Sequence, residues 1–178
     1  MTIKSIEEFA EKYVGRKKDK RFDWNVMKFQ EEVDPKYRRA QMRYIGRGAT
    51  ANNAKDVIEA ENFTLSTMIL PAGSVGPLHL HSDVEEVFFV IKGELTAMVD
   101  LDGETHDVVL NERDCVSVPP GYYRGIRNET DEDALMLVML GNPKPQLPTY
   151  PENSELEKVR LERQAEREKL IKEADEKK

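Results

Sequence analysis

Cysteine is almost missing from this chain: Cys115 is the single one in 178 residues. No disulfide can form within it, so its stability must come from a packed core. A domain of this length buries about 70% of the surface its unfolded chain exposes, which is enough to fold without covalent staples. A lone thiol also fits a reducing compartment. Long hydrophobic runs are missing too. Apolar stretches such as 87–91 and 134–140 fall far below the roughly 18 residues a membrane-spanning helix needs. The opening residues MTIKSIEEFAEKY put Glu7 and Glu8 where a secretory signal carries its apolar region, which predicts no export. Positive charge is in deficit, with 27 Lys and Arg against 34 Asp and Glu and a formal net charge of −7. That balance argues against broad nucleic-acid binding, which draws on cationic side chains at phosphates. The expectation is a soluble cytoplasmic protein with no membrane or nucleic-acid partner.

What is present falls into three zones, expected as a helix and arm over 1–40, a β-barrel over 41–147 and a charged helix over 148–178. In the first, Ser5 and Glu8 have capping-box form, and Ile6, Phe9, Ala10 and Tyr13 recur at helical spacing up to Gly15. A basic stretch, 16–21, reads as a solvated loop. Phe22, Trp24, Val26, Met27 and Phe29 are too apolar for a free tail. This arm is expected to lie on the core or to cross onto a second subunit of a homodimer.

The middle zone reads as β. Strands are expected at 41–45, 63–70, 86–91, 95–99, 105–110, 115–118 and 134–140, with Pro-Ala-Gly, Asp-Gly, Pro-Pro-Gly and Gly-Asn-Pro turn signals between them. Lys92-Gly93 suggests a hairpin joining two of these strands. Short strands at such intervals predict an antiparallel sandwich or barrel, an all-β fold. The last zone, from Ser154 onward, is about two-thirds charged and predicts a solvent-exposed helix that frays, its apolar stripe being too interrupted for a coiled coil.

Of the three histidines, two stand together in GSVGPLHLHSDVEE, residues 73–86. On a strand, alternate residues share a face, so His79 and His81 point the same way and Leu80 the other. Two imidazoles followed by Glu86 form a two-histidine, one-carboxylate set. Such a set suits Fe(II), Mn(II), Ni(II), Cu(II) or Zn(II) and leaves coordination positions open. Open positions are what a catalytic metal needs.

These residues resemble the first motif of the cupin superfamily, G-x5-H-x-H-x3,4-E-x6-G, with Gly73, His79, His81, Glu86 and Gly93 at its fixed positions. Glu85 sits at the three-residue variant, but only Glu86 leaves six residues before Gly93. The second cupin motif, G-x5-P-x-G-x2-H-x3-N, is met by Pro119, Gly121 and Asn128, while its first glycine is Arg113 and its histidine is Arg124. The resemblance implies a double-stranded β-helix, or jelly-roll, barrel with the motif residues pointing into one end.

Arg124 occupies the place of the fourth ligand, and a guanidinium cannot ligate because it stays protonated. Two readings stand. In one, the three remaining ligands hold a metal, and Arg124, with Tyr122 beside it, binds an anionic substrate and stabilises charge during a dioxygenase-type oxidation. In the other, Arg124 replaces the metal by pairing with Glu86, in a non-catalytic small-molecule-binding or sensor protein. Phe88, Val90 and Met98 are expected to line the interior and Tyr122 and Tyr123 its mouth. His106 reads as an exposed strand residue and Cys115 as a small buried hydrophobe.

Overall fold

The computed structural model describes residues 3–47 and 57–175. Among the described residues, nine strands make up the barrel: β1 (Ala40–Ile45), β2 (Thr64–Leu70), β3 (Val75–Leu80), β4 (Glu86–Lys92), β5 (Leu95–Leu101), β6 (Glu104–Leu110), β7 (Cys115–Val118), β8 (Tyr123–Arg127) and β9 (Ala134–Leu140). They form two antiparallel sheets, β1-β2-β9-β4-β7 and β3-β8-β5-β6, the arrangement of a jelly-roll barrel.

The inward positions change character along the strands, and that gradient positions the site. In β2 the buried residues run Leu70, Met68, Ser66, Thr64, and in β4 they run Val90, Phe88, Glu86. Register places these in rows across β9: Met68–Met136–Val90, then Ser66–Val138–Phe88, then Thr64–Leu140–Glu86. One end of the barrel is therefore filled with aliphatic side chains, centred on Leu70, Val90, Leu95 and Met136. The other end carries polar groups around a cavity. Val90 lies in the packed part, Phe88 where core and cavity meet, and Met98 is buried.

Turn chemistry accounts for the strand boundaries. Asp102 and Gly103 both have positive φ (56° and 87°), as a two-residue hairpin of the type favoured by right-handed strand twist requires, and they join β5 to β6. The hairpin expected at Lys92-Gly93 does not form. Strand β4 pairs with β7 and β9, while β5 pairs with β6 and β8. Gly93, at φ 86°, instead turns the chain from one sheet to the other, because the apolar inward faces of β4 and β5 are buried by facing sheets rather than by sharing an edge.

Strands β3 and β8 approach closely at two glycines. A Cβ on Gly125 would lie 2.8 Å from the Gly76 carbonyl oxygen and 2.7 Å from Met98 Cε. Gly125→Ala is expected to destabilise the fold by about 1–3 kcal/mol through overpacking, read as a lower urea midpoint at unchanged slope. An unchanged midpoint would mean that the two strands separate at no cost.

Outside the barrel, α1 (Ile6–Tyr13) has Ser5 as its N-cap, the hydroxyl accepting from the Glu8 N–H at 3.2 Å, and buries none of its residues. The arm after it packs in part on its own barrel: Asp23 bridges Gln41 of β1, and Met27 packs against the core, while Trp24 stays exposed. The arm continues into α2 (Lys28–Val33), where Gln30 is buried. Helix α3 (Glu155–Asp175) is buried at its start and is tied to α2 further along by the Arg163–Glu32 ion pair at 2.8 Å. Leu156 and Glu157 are buried, and Glu157 accepts the Tyr150 N–H at 2.9 Å. From Leu161 to Ala174 the helix is exposed, as its charged composition predicts. No helix among the described residues is long and apolar enough to cross a membrane.

Cys115 departs from expectation. It is exposed at the start of the short edge strand β7, because an edge strand with one solvent face leaves half its side chains uncovered.

Candidate metal centre

His79 lies on β3, His81 follows its last residue, and Glu86 opens β4. Strand alternation turns both imidazoles inward, and the short 81–86 connection returns the chain so that the Glu86 carboxylate faces them. One ligand atom from each of the three side chains lies within 4.8 Å of the others. The rings stand edge to face, with centroids 5.4 Å apart. Glu85 takes the opposite direction. Its exposed carboxylate accepts a hydrogen bond from the Ser117 hydroxyl, so the acid that faces the histidines is Glu86.

The hydrogen bonds of His79 call for a cation. Its Nδ1 lies 2.9 Å from the Pro77 carbonyl oxygen, which only accepts, so Nδ1 carries a proton. Its Nε2 lies 3.0 Å from Glu86 Oε2. If that nitrogen bore only its lone pair, two lone pairs would confront each other, so a proton or a metal ion belongs between them. A carbonyl that fixes the tautomer is the usual support for a metal-ligating imidazole. His81 is 4% exposed, and its Nε2 lies 4.0 Å from the same Glu86 oxygen. Burial chiefly, with Glu86 acting in the opposite sense, lowers its pKa to about 4. His81 is therefore neutral at physiological pH, the form that ligates metals. Its Nδ1 is buried with no hydrogen-bond partner among the described residues. This donor set fits a divalent transition ion.

Arg124 stands directly opposite His79 in the β3–β8 register and has no exposed surface. Its Nε donates to Glu86 Oε2 at 3.1 Å, one Nη to the Tyr122 carbonyl at 2.8 Å and the other to the Val84 carbonyl at 3.4 Å. Burial opposes ionisation of Glu86 most strongly, but His79, His81 and Arg124 together hold its pKa below the ordinary carboxylate range. Arg124 is thus occupied by Glu86 and the 81–86 turn. It is not part of the cavity wall, which His79, His81 and Glu86 line. Tyr122 contributes its carbonyl, while its ring is 46% exposed. Tyr123 points away from the interior because Arg124 and Ile126 take the inward positions of β8, and its hydroxyl donates to the Tyr150 carbonyl at 3.3 Å. Neither tyrosine lines the mouth. His106 is exposed on β6, away from the cluster.

The remaining second-motif residues support the first. The Gly121 N–H donates to the His81 carbonyl at 2.9 Å. Buried Asn128 donates to the carbonyls of Leu70, Pro71 and Glu132, tying β8 to the end of β2.

The side chains of His79, His81 and Glu86 open onto a cavity of about 670 Å³, large enough for a small organic molecule. Its wall is apolar at Met68, Phe88, Met136 and Val138, and the arm (Phe29, Gln30) and Tyr150 close one side. Gln30 donates to the Tyr150 hydroxyl at 2.6 Å. Arginines not anticipated from the sequence also line it: Arg39 just before β1, Arg43 within β1, and Arg160, Arg163 and Arg167 from α3. Arg160 and Arg163 are paired with Glu157 and Glu32, and Glu86 and Glu168 line the same cavity, so only part of this positive charge is uncompensated and left to attract an anion.

Residues 66–140 match the family model of the cupin domain. No curated protein sequence matches the chain. Among solved structures, the DMSP lyase DddQ from Ruegeria pomeroyi DSS-3 aligns at a TM-score of 0.54 and 21% identity, over 76% of this chain and 62% of that one. Oxalate decarboxylase from Bacillus subtilis aligns at 0.50 and 18% identity, over 63% of this chain and 27% of the other. An oxalate oxidase aligns at 0.46 and 22% identity, over 50% and 46%. This chain spans about half the length of the oxalate oxidase and less of the decarboxylase. At these identities the likeness is one of fold.

Proposed function

We propose, from the match of residues 66–140 to the cupin-domain family model, that this cupin is a metal-dependent enzyme oxidising a small organic anion with O₂. The observation that carries this reading is the convergence of His79, His81 and Glu86 at the wall of a largely apolar cavity with an arginine-rich lining. Two histidines and one carboxylate leave open positions at an octahedral ion, and this donor set is the one used by non-haem Fe(II) oxygenases. A bound ion would supply Lewis-acid activation and, for Fe or Mn, electron exchange with O₂. The chain's own residues do the rest. His79, oriented by Pro77, and His81, neutral through burial, present imidazoles, and Arg124 keeps Glu86 ionised. Met68, Phe88 and Val138 exclude water from the inner wall, and the arginines draw in an anion.

The test is oxygen uptake by protein loaded separately with Fe(II), Mn(II) and Zn(II), against a panel of enolisable and phenolic acids. Uptake with a redox-active ion and none with Zn(II) is expected. Substrate loss without oxygen uptake would replace oxidation by a lyase or decarboxylase chemistry. The 3.1 Å Arg124–Glu86 pair favours a second reading, a metal-free binding protein, and metal content separates the two.

A further inference from the structure

Arg39 is the least explained charge in the molecule. It immediately precedes β1, is 4% exposed and lines the cavity. Of its five N–H donors, one reaches the Tyr37 carbonyl at 2.9 Å, and no carboxylate among the described residues forms an ion pair with it. Other arginines differ: Arg124 pairs with Glu86, Arg127 with Asp107 and Glu129, Arg160 with Glu157, and Arg163 with Glu32. Burial lowers the Arg39 pKa to about 10, with Tyr150, Glu86 and Tyr37 opposing that shift, so the group remains a cation at neutral pH. Glu86 gives little compensation, since one oxygen of that carboxylate already faces His79 and Arg124. A buried cation without a counter-ion is costly, and a cavity wall is where a ligand can supply one.

We propose that Arg39 is the carboxylate clamp of this cavity and that the ligand is a small organic acid with an apolar body, its carboxylate on the Arg39 guanidinium and its hydrocarbon part against Met68, Phe88, Met136 and Val138. A planar guanidinium matches a carboxylate through two parallel hydrogen bonds, whereas an amide offers a single acceptor oxygen and no charge. This assignment deepens the proposed function and rests on it for the reaction, but not for the binding of the acid. It also moves substrate anchoring from Arg124, which is engaged by Glu86, to a residue outside both cupin motifs.

The experiment titrates benzoate and benzamide into chelator-treated and into metal-loaded protein by calorimetry. Benzoate is expected to bind in both states and benzamide at least about 10-fold more weakly, the scale of charge-assisted hydrogen bonds. Arg39→Gln should weaken benzoate by about 10- to 100-fold while leaving benzamide and metal content unchanged, and Arg39→Lys should fall between. Because a buried arginine variant can misfold, wild-type crystals soaked in 4-iodobenzoate provide an independent readout. The carboxylate should lie within hydrogen-bond distance of the Arg39 guanidinium, with the iodine marking the apolar wall. Benzoate bound no better than benzamide, equal benzoate affinity in Arg39→Gln, or a carboxylate located away from Arg39 would each overturn the clamp. Failure of wild-type protein to hold any metal would remove the metalloenzyme reading and leave these outcomes as stated.

Discussion

His79→Ala is expected to empty the metal centre. Wild-type protein purified without an affinity tag and supplied with Fe(II) or Mn(II) should hold close to one ion per chain, whereas the variant should lose about 100-fold or more in affinity, since even outer-shell partners of metal ligands are worth 10- to 100-fold. The side chain serves two functions at once. Its Nδ1 proton on the Pro77 carbonyl fixes the ring, and that fixation aims Nε2 at a point 3.0 Å from Glu86 Oε2. Alanine removes the donor and leaves Glu86 to Arg124 at 3.1 Å and to the more distant His81 at 4.0 Å, too few ligands to hold an ion firmly. His106→Ala serves as the control. That imidazole lies exposed on β6 and should leave metal content unchanged. Elemental analysis of the three proteins decides the matter. A variant that keeps wild-type metal content would place the ion elsewhere, and a wild type that takes up none under any supply would leave the ion-paired barrel as the functional state.

The parts of this site that were legible in the sequence are those set by short-range geometry. Alternation along one strand makes His79 and His81 share a face, and a short connection allows Glu86 to return to them, so spacing alone encodes the cluster. The spacing to Gly93 distinguished Glu86 from Glu85, and the structure turns Glu85 outward to Ser117. Arg39, Gln41 and Arg43 were not legible as cavity residues. Their alternation with Ala40 and Met42 has the form of a strand with one solvated face, yet Arg39 and Arg43 are buried as well as Ala40 and Met42. A polar face lining a cavity has the same sequence pattern as one facing water. Only the arm, Tyr150 and α3, folding over from distant parts of the chain, distinguish the two. Strand pairing failed in the same way at Lys92-Gly93. A glycine turn specifies a change of direction, whereas the choice between staying in one sheet and crossing to the other is made by burial of the flanking faces. For Arg124 the sequence left two roles open, and the hydrogen bonds to Glu86, Tyr122 and Val84 favour support of the carboxylate over contact with substrate.

Two substitutions at Arg124 are expected to act in opposite directions. Arg124→Leu removes the only fully buried cation on Glu86 among the described residues and leaves the carbonyls of Tyr122 and Val84 without their donor. Breaking one side of a buried pair in this way costs about 3–5 kcal/mol, to be read as the loss of stability in urea with a chelator present. A bound divalent ion neutralises the same carboxylate, so the loss should shrink in metal-loaded protein. That difference between the two conditions separates a charge effect from simple mispacking, which would be equal in both. Arg124→His removes a positive charge from beside the ion and sets an imidazole opposite His79 in the β3–β8 register. The guanidinium Nε contacts the Glu86 oxygen that also faces His79, so it competes with an ion for that lone pair. Its replacement should raise metal affinity by about 10-fold or more, a gain of at least about 1.4 kcal/mol, in competition against a fluorescent chelator. An affinity equal to that of wild type would mean that Arg124 and the ion do not share Glu86, and the arginine would then be a fixture of the 81–86 turn alone.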